Sequence, residues 1–443
     1  MSNHVTHEQQ AQALGRELVA FVAPLLMELD KQLDKRLVRT FATSLQAIIT
    51  LRHSVYGLLL SELGGYILTP DKAPAGTKRL SNLLRSTKWG HEAIEAYLWA
   101  KAERRIEALE AQGKTVLVAW DESVWEKPGS PAAEDLGLVR SAQADRLVRS
   151  RVGNFKTTGG RAIVVPGMQW LTLLVLGFKG APLVAGMQWW TTQGKHATRR
   201  RSEMGDWLWR CAQAWGQRVL HIWDRGFAGH RWLQHALELD VRFLVRWRSG
   251  YHLVDAKGRR PAWHISRGKR SLDHRLIWDS RRRCWRKTGI FYTCVSLPDH
   301  EMPLWLVVSR PGKGRKPWYL LTNVPIISLD DAWQLVFAYA RRWQVEMTYR
   351  YAKTELAMQS PRLWSWHNRL KLLFMVTLVY DFLLSLLNSD FNALRQWLLR
   401  HWCHRTGKRY RSAAIPLYRL RSALSRLWLA FPSSPLPSWE NLG

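Results

Sequence analysis

Apolar residues recur at spacings of three and four along the first part of the chain, through 18–33 and 45–63. That period places them on one face of a helix and predicts that residues 1–110 are helical. A loop is predicted at 71–76, followed by a basic helix with Thr77 as its N-cap. The N-terminal quarter is therefore expected to be a small helical domain.

From Lys114 onward the pattern changes to short apolar runs that are rich in β-branched residues. The run Thr115–Trp120 leads into Asp121, and the run Val219–Trp223 leads into Asp224. Such runs, bounded by polar loops, are typical of buried strands in a sheet that is covered on both faces. We therefore expect both aspartates at strand ends, where α/β proteins usually bind ligands.

The order of these elements indicates the fold class. A strand with an aspartate, hairpin strands, a helix, a second strand with an aspartate and a late helix form the layout of an RNase H-like α/β domain. Its core is predicted as a mixed five-stranded sheet with flanking helices, interrupted by an all-β insertion and followed by a helical C-terminus. The predicted divisions are 1–110 (N-terminal helical domain), 111–240 (first part of the core), 241–325 (insertion), 326–400 (second part of the core) and 401–443 (basic C-terminal segment and tail).

The net charge changes the interpretation of the basic helix. The chain has 66 Lys and Arg against 35 Asp and Glu, a formal charge of +31. A field of that sign attracts polyanions, and nucleic acid is the first partner to expect. A basic helix in a small helical domain is the usual form of a helix-turn-helix reader, so Lys78, Arg79 and Arg85 are expected to contact DNA. An ordinary solvated helix, or a protein that coats nucleic acid without chemistry, fits the same pattern.

Cysteine usage and hydropathy bear on the compartment. The four Cys show no CxxC spacing, which argues against a disulfide framework and favours a reducing cytoplasm. The N-terminus is polar up to about residue 18 and lacks the pattern of a signal peptide. The most apolar stretch, 372–387, contains Asp381 and is short for a membrane span, so it predicts a buried helix. We expect a cytoplasmic protein with no membrane partner.

The stretch from Tyr339 to Lys353 combines four kinds of polar side chain. Tyr339, Arg342, Glu346 and Lys353 stand at offsets 0, +3, +7 and +14. On one α-helix these side chains would fall within roughly 60° of one another. A carboxylate flanked by two cations suits a site that holds a metal ion and a phosphate together. A salt-bridged surface helix mixes the same charges, so the stripe alone leaves both interpretations open.

Asp121, Asp224 and Glu346 together form a three-carboxylate constellation. Oxygen ligands of this kind favour Mg²⁺ or Mn²⁺ over zinc. The residues therefore predict a magnesium site, with Mn²⁺ as a substitute, between the sheet and the late helix.

These residues resemble those of the bacterial insertion-sequence transposases of the DDE type. Within that group, the spacing Tyr-(2)-Arg-(3)-Glu-(6)-Lys is similar to the signature of the subgroup known as insertion sequence family four. Tyr339, Arg342, Glu346 and Lys353 fit this signature position by position.

Two further motifs extend the resemblance to roughly residues 40–400. Asp121 in WDESVWEKPGS resembles the family's first aspartate motif, and Asp224 in WDRGFAGHRWL resembles the second. The family also carries an all-β insertion between the second aspartate and the glutamate. Glu122 departs from the pattern, because many relatives carry Thr or Asp there.

The resemblance implies a DNA transposase that binds the terminal repeats of an insertion sequence in the bacterial nucleoid. Asp121, Asp224 and Glu346 would bind two Mg²⁺ ions per site and catalyse hydrolysis at the element ends. The free 3′-OH would then be joined to target DNA at the same site. A homodimer would pair the two ends of double-stranded DNA in the synaptic complex.

DNA contacts are implied as well. Arg342 and Lys353 would hold the phosphates that flank the scissile bond, Tyr339 would pack or hydrogen-bond to the backbone there, and Arg225 is expected to contact DNA. Simple packing by Tyr339 and orientation of Glu346 by Arg342 are the structural alternatives. A domesticated DNA-binding protein that does not cut, and another RNase H-like nuclease such as a resolvase, are the alternatives for the whole protein.

Overall fold

The computed structural model describes residues 6–53, 56–130, 132–141, 163–279, 284–312, 315–403 and 417–433. The predicted basic C-terminal segment, 401–443, is thus described only in part. One large mixed sheet surrounded by helices confirms the predicted α/β class.

Five described helices precede the first strand: α1 (His7–Asp30), α2 (Lys35–Thr50), α3 (Leu60–Ile67), α4 (Ala73–Arg85) and α5 (Glu92–Glu110). The prediction that Thr77 caps the basic helix is wrong. That helix, α4, already begins at Ala73, and the Thr77 hydroxyl donates to the Ala73 carbonyl at 2.8 Å. Helices α3 and α4 approach so closely that a Cβ on Gly76 would lie 2.1 Å from the Gly64 carbonyl oxygen, so this crossing requires glycine.

Twelve strands of the described residues form one sheet: β1 (Val116–Glu126), β2 (Gly137–Arg140), β3 (Val164–Leu176), β4 (Leu183–Trp190), β5 (Val219–Trp223), β6 (Arg242–Arg246), β7 (His252–Asp255), β8 (Gly258–Pro261), β9 (Asp273–Asp279), β10 (Cys284–Leu297), β11 (His300–Arg310) and β12 (Trp318–Thr322). One half runs in the order β4–β3–β1–β5–β6. Strand β1 is antiparallel to β3 and parallel to β5, and β5 is parallel to β6. The strand directions of this half are mixed, as predicted for the core, but β2 also pairs with β3, and β6 comes from the range predicted as the insertion.

Asp121 does not end a strand as predicted. Strand β1 continues through Glu126, and Asp121 pairs with Thr172 of β3 in mid-strand. The polar residues after Asp121 read as a loop in the sequence, but the long partner β3 keeps them extended. Asp224 does follow its strand directly, since β5 ends at Trp223.

Strands of the predicted insertion join the same sheet and do not form a separate one. Strand β12 pairs with β6, and β11 and β10 continue the sheet outward to β7 and β8. Strand β9 pairs with the other part of β10. A short helix, α8 (Ala262–Ser266), interrupts the run of strands, so this region is not wholly β.

The remaining α-helices of the described residues are α6 (Arg200–Trp215), α7 (His230–Glu238), α9 (Leu329–Arg341), α10 (Trp343–Thr354), α11 (Trp366–Ser385), α12 (Asn392–Trp402) and α13 (Leu417–Ala430). Helices α12 and α13 pack against each other, and α13 also packs against α2. Alternate residues of β1 enter two separate cores. Leu117 and Ala119 pack in the core shared with the N-terminal helices, α10 and α11, whereas Val118 and Trp120 pack in the core beneath α6 and α7. The first of these cores is continuous across residue 110.

The predicted single helix from Tyr339 to Lys353 is broken. Helix α9 ends at Arg341 and α10 begins at Trp343, with Arg342 between them. The Arg342 N–H donates to the Tyr339 carbonyl, and the Arg342 carbonyl accepts from the Val345 N–H. Both bonds span three residues, and this tighter turn interrupts the α-helical hydrogen-bond pattern at Arg342.

Among the described residues, no single helix is both long and apolar enough to cross a membrane. The helices Trp366–Ser385 and Ser389–Trp402, which meet at a bend of 74°, are long and apolar enough only when they are taken together.

Candidate active site

Strand β1 presents Asp121 on the face that α10 covers. Tyr349 of α10 donates a hydrogen bond from its hydroxyl to the Asp121 carbonyl. The Tyr349 ring stacks on Trp170 of β3, with 5.3 Å between ring centroids. The bond to backbone fixes α10 against β1 one turn after Glu346, and it therefore positions the glutamate beside the aspartate. Sequence reasoning missed Tyr349, although it follows Glu346 by three residues and so shares its helical face.

One guanidinium joins the two carboxylates. Arg342 donates from Nη1 to Asp121 Oδ2 at 3.2 Å and from Nη2 to Glu346 Oε1. The Arg342 side chain is 11% exposed, that of Asp121 15% and that of Glu346 35%. The structure thus brings together three of the predicted site residues as a partly buried ionic cluster. Of the two roles considered for Arg342, orientation of Glu346 is the one that these contacts match.

Burial and neighbouring charge shift the proton affinities within this cluster. Burial raises the pKa of Asp121 to about 7; Arg342 opposes the rise, while Asp224 and Glu346 add to it. Burial opposes the charge of Arg342, but Tyr339, Asp121 and Glu346 together raise the pKa of its guanidinium above the usual range. A cluster with three acids and one cation is therefore short of positive charge.

Asp224 lies just beyond β5 and is half-buried. Its Oδ1 accepts from the Gly226 N–H at 2.6 Å, and a Cβ on Gly226 would lie 2.8 Å from that oxygen. The absence of a side chain at Gly226 leaves room for this close contact with the carboxylate. Arg225, between them, is exposed to solvent.

Glu122 points away from this cluster. Successive side chains of a strand face opposite sides, so Glu122 lies on the face that α6 covers. Its carboxylate accepts from Arg200 at the start of α6, with Nε to Oε1 at 2.6 Å. Asp224 also raises the pKa of Arg200, so this guanidinium lies within reach of both acids. Sequence reasoning missed Arg200, and nothing in the local pattern links it to residues so distant in the chain.

Lys353 lies farther along the same face of β1. Its Nζ donates to Ser123 Oγ at 2.8 Å and stands 5.6 Å from the centroid of the Trp170 ring. The lysine is half-buried, and its partner Ser123 lies two residues from Asp121 along β1. It therefore lies beside the cluster, although the helix is interrupted at Arg342.

Tyr339 lies beneath Arg342 and is only 4% exposed. Its ring packs edge-on against Trp318 of β12 at 5.1 Å, and the Arg342 guanidinium carbon stands 5.8 Å from its centroid. Burial raises the pKa of its hydroxyl. As placed, Tyr339 packs the junction between α9 and β12, which matches the packing alternative.

The basic residues of α4 stand apart from the carboxylates. Lys78, Arg79 and Arg85 are exposed, and among the described residues none of them bonds to the Asp121–Glu346 cluster. Arg79 lines a groove of about 1430 Å³ between α2, α3, α4 and α13. The expected DNA contact of this helix stays a prediction.

The donor set suits a divalent cation only after a change at Arg342. As placed, no three Asp, Glu, His or Cys side chains of the described residues converge closely enough to hold a metal ion. Yet Asp121 and Glu346 already converge on one positive charge, and Asp224 is close enough to raise the pKa of Asp121. Carboxylate oxygens are the ligands that Mg²⁺ and Mn²⁺ prefer. The residues therefore fit such an ion if the guanidinium withdraws.

Comparison with known proteins gives one family match that includes part of this cluster. The transposase DDE domain family matches residues 204–382, which include Asp224, Arg342 and Glu346. This match covers less than half of the chain, and it supports a DDE-type transposase. A cryo-EM structure of piggyBac transposase in a synaptic complex with hairpin DNA is similar to this chain at a TM-score of 0.42 and 13% identity, over 93% of this chain and 76% of that one. Similarity at that level does not establish a shared fold.

Proposed function

We propose that the chain is a DNA transposase that hydrolyses phosphodiester bonds at the ends of an insertion sequence and joins the free 3′-OH to target DNA. The observation that carries the proposal is the meeting of Asp121 and Glu346 on one face of β1, with Asp224 directly after the neighbouring parallel strand. The match of residues 204–382 to the transposase DDE domain family supports it.

Asp121, Asp224 and Glu346 would hold the metal through their carboxylate oxygens. Two Mg²⁺ ions, or Mn²⁺ in their place, would supply activation of the attacking oxygen and stabilisation of the leaving oxygen when bound. For this the three carboxylates must be ionised, and Arg342 must leave its position between Asp121 and Glu346. Tyr349 would keep α10 against β1 during that exchange, because its bond goes to backbone and not to the carboxylate.

Arg342 and Lys353 would then position DNA. Released from the carboxylates, the Arg342 guanidinium would donate two parallel hydrogen bonds to a phosphate beside the scissile bond. Lys353 would add a point charge beside Ser123, which lies two residues beyond Asp121 in β1. Tyr339 is buried beneath Arg342, and we assign it support of that arginine.

Double-stranded DNA is the proposed partner over a wider surface. The charge of +31 supports this assignment, and Arg225, Lys78, Arg79 and Arg85 are exposed cations that would contact the backbone. A homodimer would hold the two element ends together, since both ends must be cut and joined.

A DNA-binding protein that does not cut is the second candidate. The observation that favours it is the position of Arg342, which already forms ion pairs with both Asp121 and Glu346. If that arrangement is permanent, the chain would bind DNA ends through its cations and leave the strands intact.

Cleavage of DNA that carries the sequences flanking the gene separates the two candidates. Purified protein is expected to cut this DNA with Mg²⁺ or Mn²⁺ and to stop in EDTA. Asp121→Asn should lower the cleavage rate at least about a thousandfold and keep DNA binding. Glu122→Gln is the matched control, because this adjacent carboxylate lies on the opposite face, and it should cut nearly as fast as wild type. Equal cleavage by wild type and Asp121→Asn would contradict the assignment.

A further inference from the structure

Two segments run side by side away from the carboxylates. Ser123 and Trp125 share the Asp121 face of β1, and the chain that follows Glu346 accompanies them. Lys353 donates to Ser123, and the Trp125 indole N–H donates to the Met358 carbonyl at 2.5 Å. Just beyond the strand, Lys127 Nζ donates to the Gln359 carbonyl at 3.0 Å. The same two segments that position the candidate active site therefore continue to Lys127.

A cavity of about 310 Å³ opens at the far end of these segments. Its walls include Trp125, Lys127, Ser130, Pro361, Arg362 and Trp364. Ligand sites in proteins begin at about this size, roughly 300 Å³. The cavity is thus large enough for one small group, and its lining residue Trp125 lies on the same face of β1 as Asp121.

The cavity has an excess of positive charge. Burial, together with the nearby charges of Arg362 and Arg369, lowers the pKa of Lys127 to about 8. Within the described parts of the chain, no carboxylate lies within ion-pair distance of Lys127 or Arg362. The nearby acid Glu134 accepts from the Trp366 N–H at 2.6 Å instead. Cations crowded together without counter-charge favour an anion from outside the protein.

Trp364 adds an exposed aromatic surface on a fixed backbone. Its side chain is 65% exposed, yet its carbonyl accepts from Arg369 Nη2 at 2.8 Å and from the Glu134 N–H at 3.1 Å. Arg369 itself is fully buried. An indole held in solvent by a rigid support provides a flat apolar face next to the cations.

We propose that this cavity is a nucleotide subsite, in which Lys127 and Arg362 bind a phosphate of the DNA strand and Trp364 stacks on the base next to it. The proposal rests on the proposed function, because it takes the strand past Asp121 as the source of that nucleotide. Six residues of extended chain separate Asp121 from Lys127, a distance of about 20 Å at roughly 3.3 Å per residue. Along a duplex this corresponds to about six nucleotides from the scissile phosphate.

The combination of groups favours a nucleotide over either of its parts. A free phosphate would use the cations but leave the indole without a role. An apolar peptide would cover the indole but bury Lys127 and Arg362 without counter-charge. A nucleotide satisfies both, since stacking on an aromatic side chain tolerates any base.

Equilibrium binding of DNA with single abasic sites tests the proposal. The probe is duplex DNA that carries the sequence flanking the gene, with abasic sites placed one at a time on each strand around the scissile phosphate. Binding is measured in EDTA, which prevents cleavage. For wild type, one abasic position about six nucleotides away should weaken binding by about 5- to 150-fold. For Trp364→Ala the same substitution should have no effect, whereas Trp364→Phe should retain most of it.

Two controls separate the parts of the proposal. Trp209→Ala removes another exposed indole, 56% exposed on α6, and should keep the abasic penalty. Lys127→Ala should reduce the salt slope of binding by about one unit. Lys179→Ala, on the exposed turn between β3 and β4 at the other end of the β1–β3 pair, should leave the slope unchanged.

An equal abasic penalty in wild type and Trp364→Ala would overturn the subsite. So would a Lys127→Ala slope equal to that of wild type, because the phosphate would then be held elsewhere. Cleavage of the intact probe in Mg²⁺ is read in parallel with the same variants. If the protein cleaves the intact probe but the abasic penalty on binding does not depend on Trp364, only the subsite is contradicted. If the penalty depends on Trp364 but the probe is not cleaved, the subsite is supported and the proposed transposase activity is contradicted.

Discussion

The two ends of the same face of β1 carry opposite arrangements of charge. At Asp121, the guanidinium of Arg342 is shared by two carboxylates. Past the other end of the strand, Lys127 and Arg362 stand together without an acid at ion-pair distance among the described residues. The first cluster must exchange a partner before it can bind anything new. The second is ready for a polyanion as it stands.

The difference indicates how one strand can serve both chemistry and binding. Carboxylates without a cation would repel the phosphates of approaching DNA. Arg342 offsets part of that charge, and it is itself suited to phosphate once displaced. The unpaired cations, by contrast, need no rearrangement to hold the strand.

Removal of the shared cation should have the largest effect on this comparison. Arg342→Ala leaves Asp121 and Glu346 partly buried without their counter-charge, a loss that typically costs about 3–5 kcal/mol. We expect a fall of that order in the free energy of unfolding in urea, with Mg²⁺ or Mn²⁺ restoring much of it. Arg342→Lys is the control, because it keeps the charge and should lose less. If Arg342→Ala unfolds like wild type, the guanidinium does not balance the carboxylates.

The raised pKa of Asp121 predicts a pH dependence of stability without metal. Between pH 3.8, the usual pKa of this carboxyl group, and about pH 7, Asp121 holds a proton in the folded state that it has released in the unfolded state. The free energy of unfolding should therefore fall as pH rises through this window and level off above about 7. The contribution is at most about 4 kcal/mol, and Asp121→Asn should lack it. Parallel pH curves for wild type and Asp121→Asn would show that the pKa is not raised.

Lys353 should give the smallest of these effects. Lys353→Ala removes one phosphate contact, so the slope of log affinity against log salt should decrease by about one unit. Lys179→Ala, on the turn at the opposite end of the β1–β3 pair, serves as the matched control and should not change the slope. An unchanged slope for Lys353→Ala would mean that its contact with Ser123 is purely structural.

The local sequence pattern was sufficient to predict much of the candidate site. The runs before Asp121 and Asp224 do form β1 and β5, because β-branched and apolar residues suit strands buried on both faces. Helical spacing placed Glu346 and Lys353 on one face of α10, where Lys353 bonds to Ser123 of β1 and Glu346 shares Arg342 with Asp121. The position of Asp224 after its strand was also predicted correctly.

Tertiary contacts determined the features of the site that the local sequence pattern did not predict. Asp121 lies in mid-strand because β3 pairs with β1 far beyond it. The helix breaks at Arg342, whose side chain meets Asp121, a residue more than two hundred positions away. Glu122 is bound by Arg200 on the other face. None of these partners stands within a local window, so propensity and periodicity carry no information about them.

Metal binding tests the central claim, that Asp121, Asp224 and Glu346 form one cation site, most directly. Titration of Mn²⁺ against the DNA-bound protein, followed by the electron paramagnetic resonance signal of free Mn²⁺, measures this without reference to cleavage. The account predicts that Asp121→Asn, Asp224→Asn and Glu346→Gln each weaken binding by about tenfold or more, while Glu122→Gln binds like wild type. Equal Mn²⁺ affinity in wild type and the three variants would contradict it.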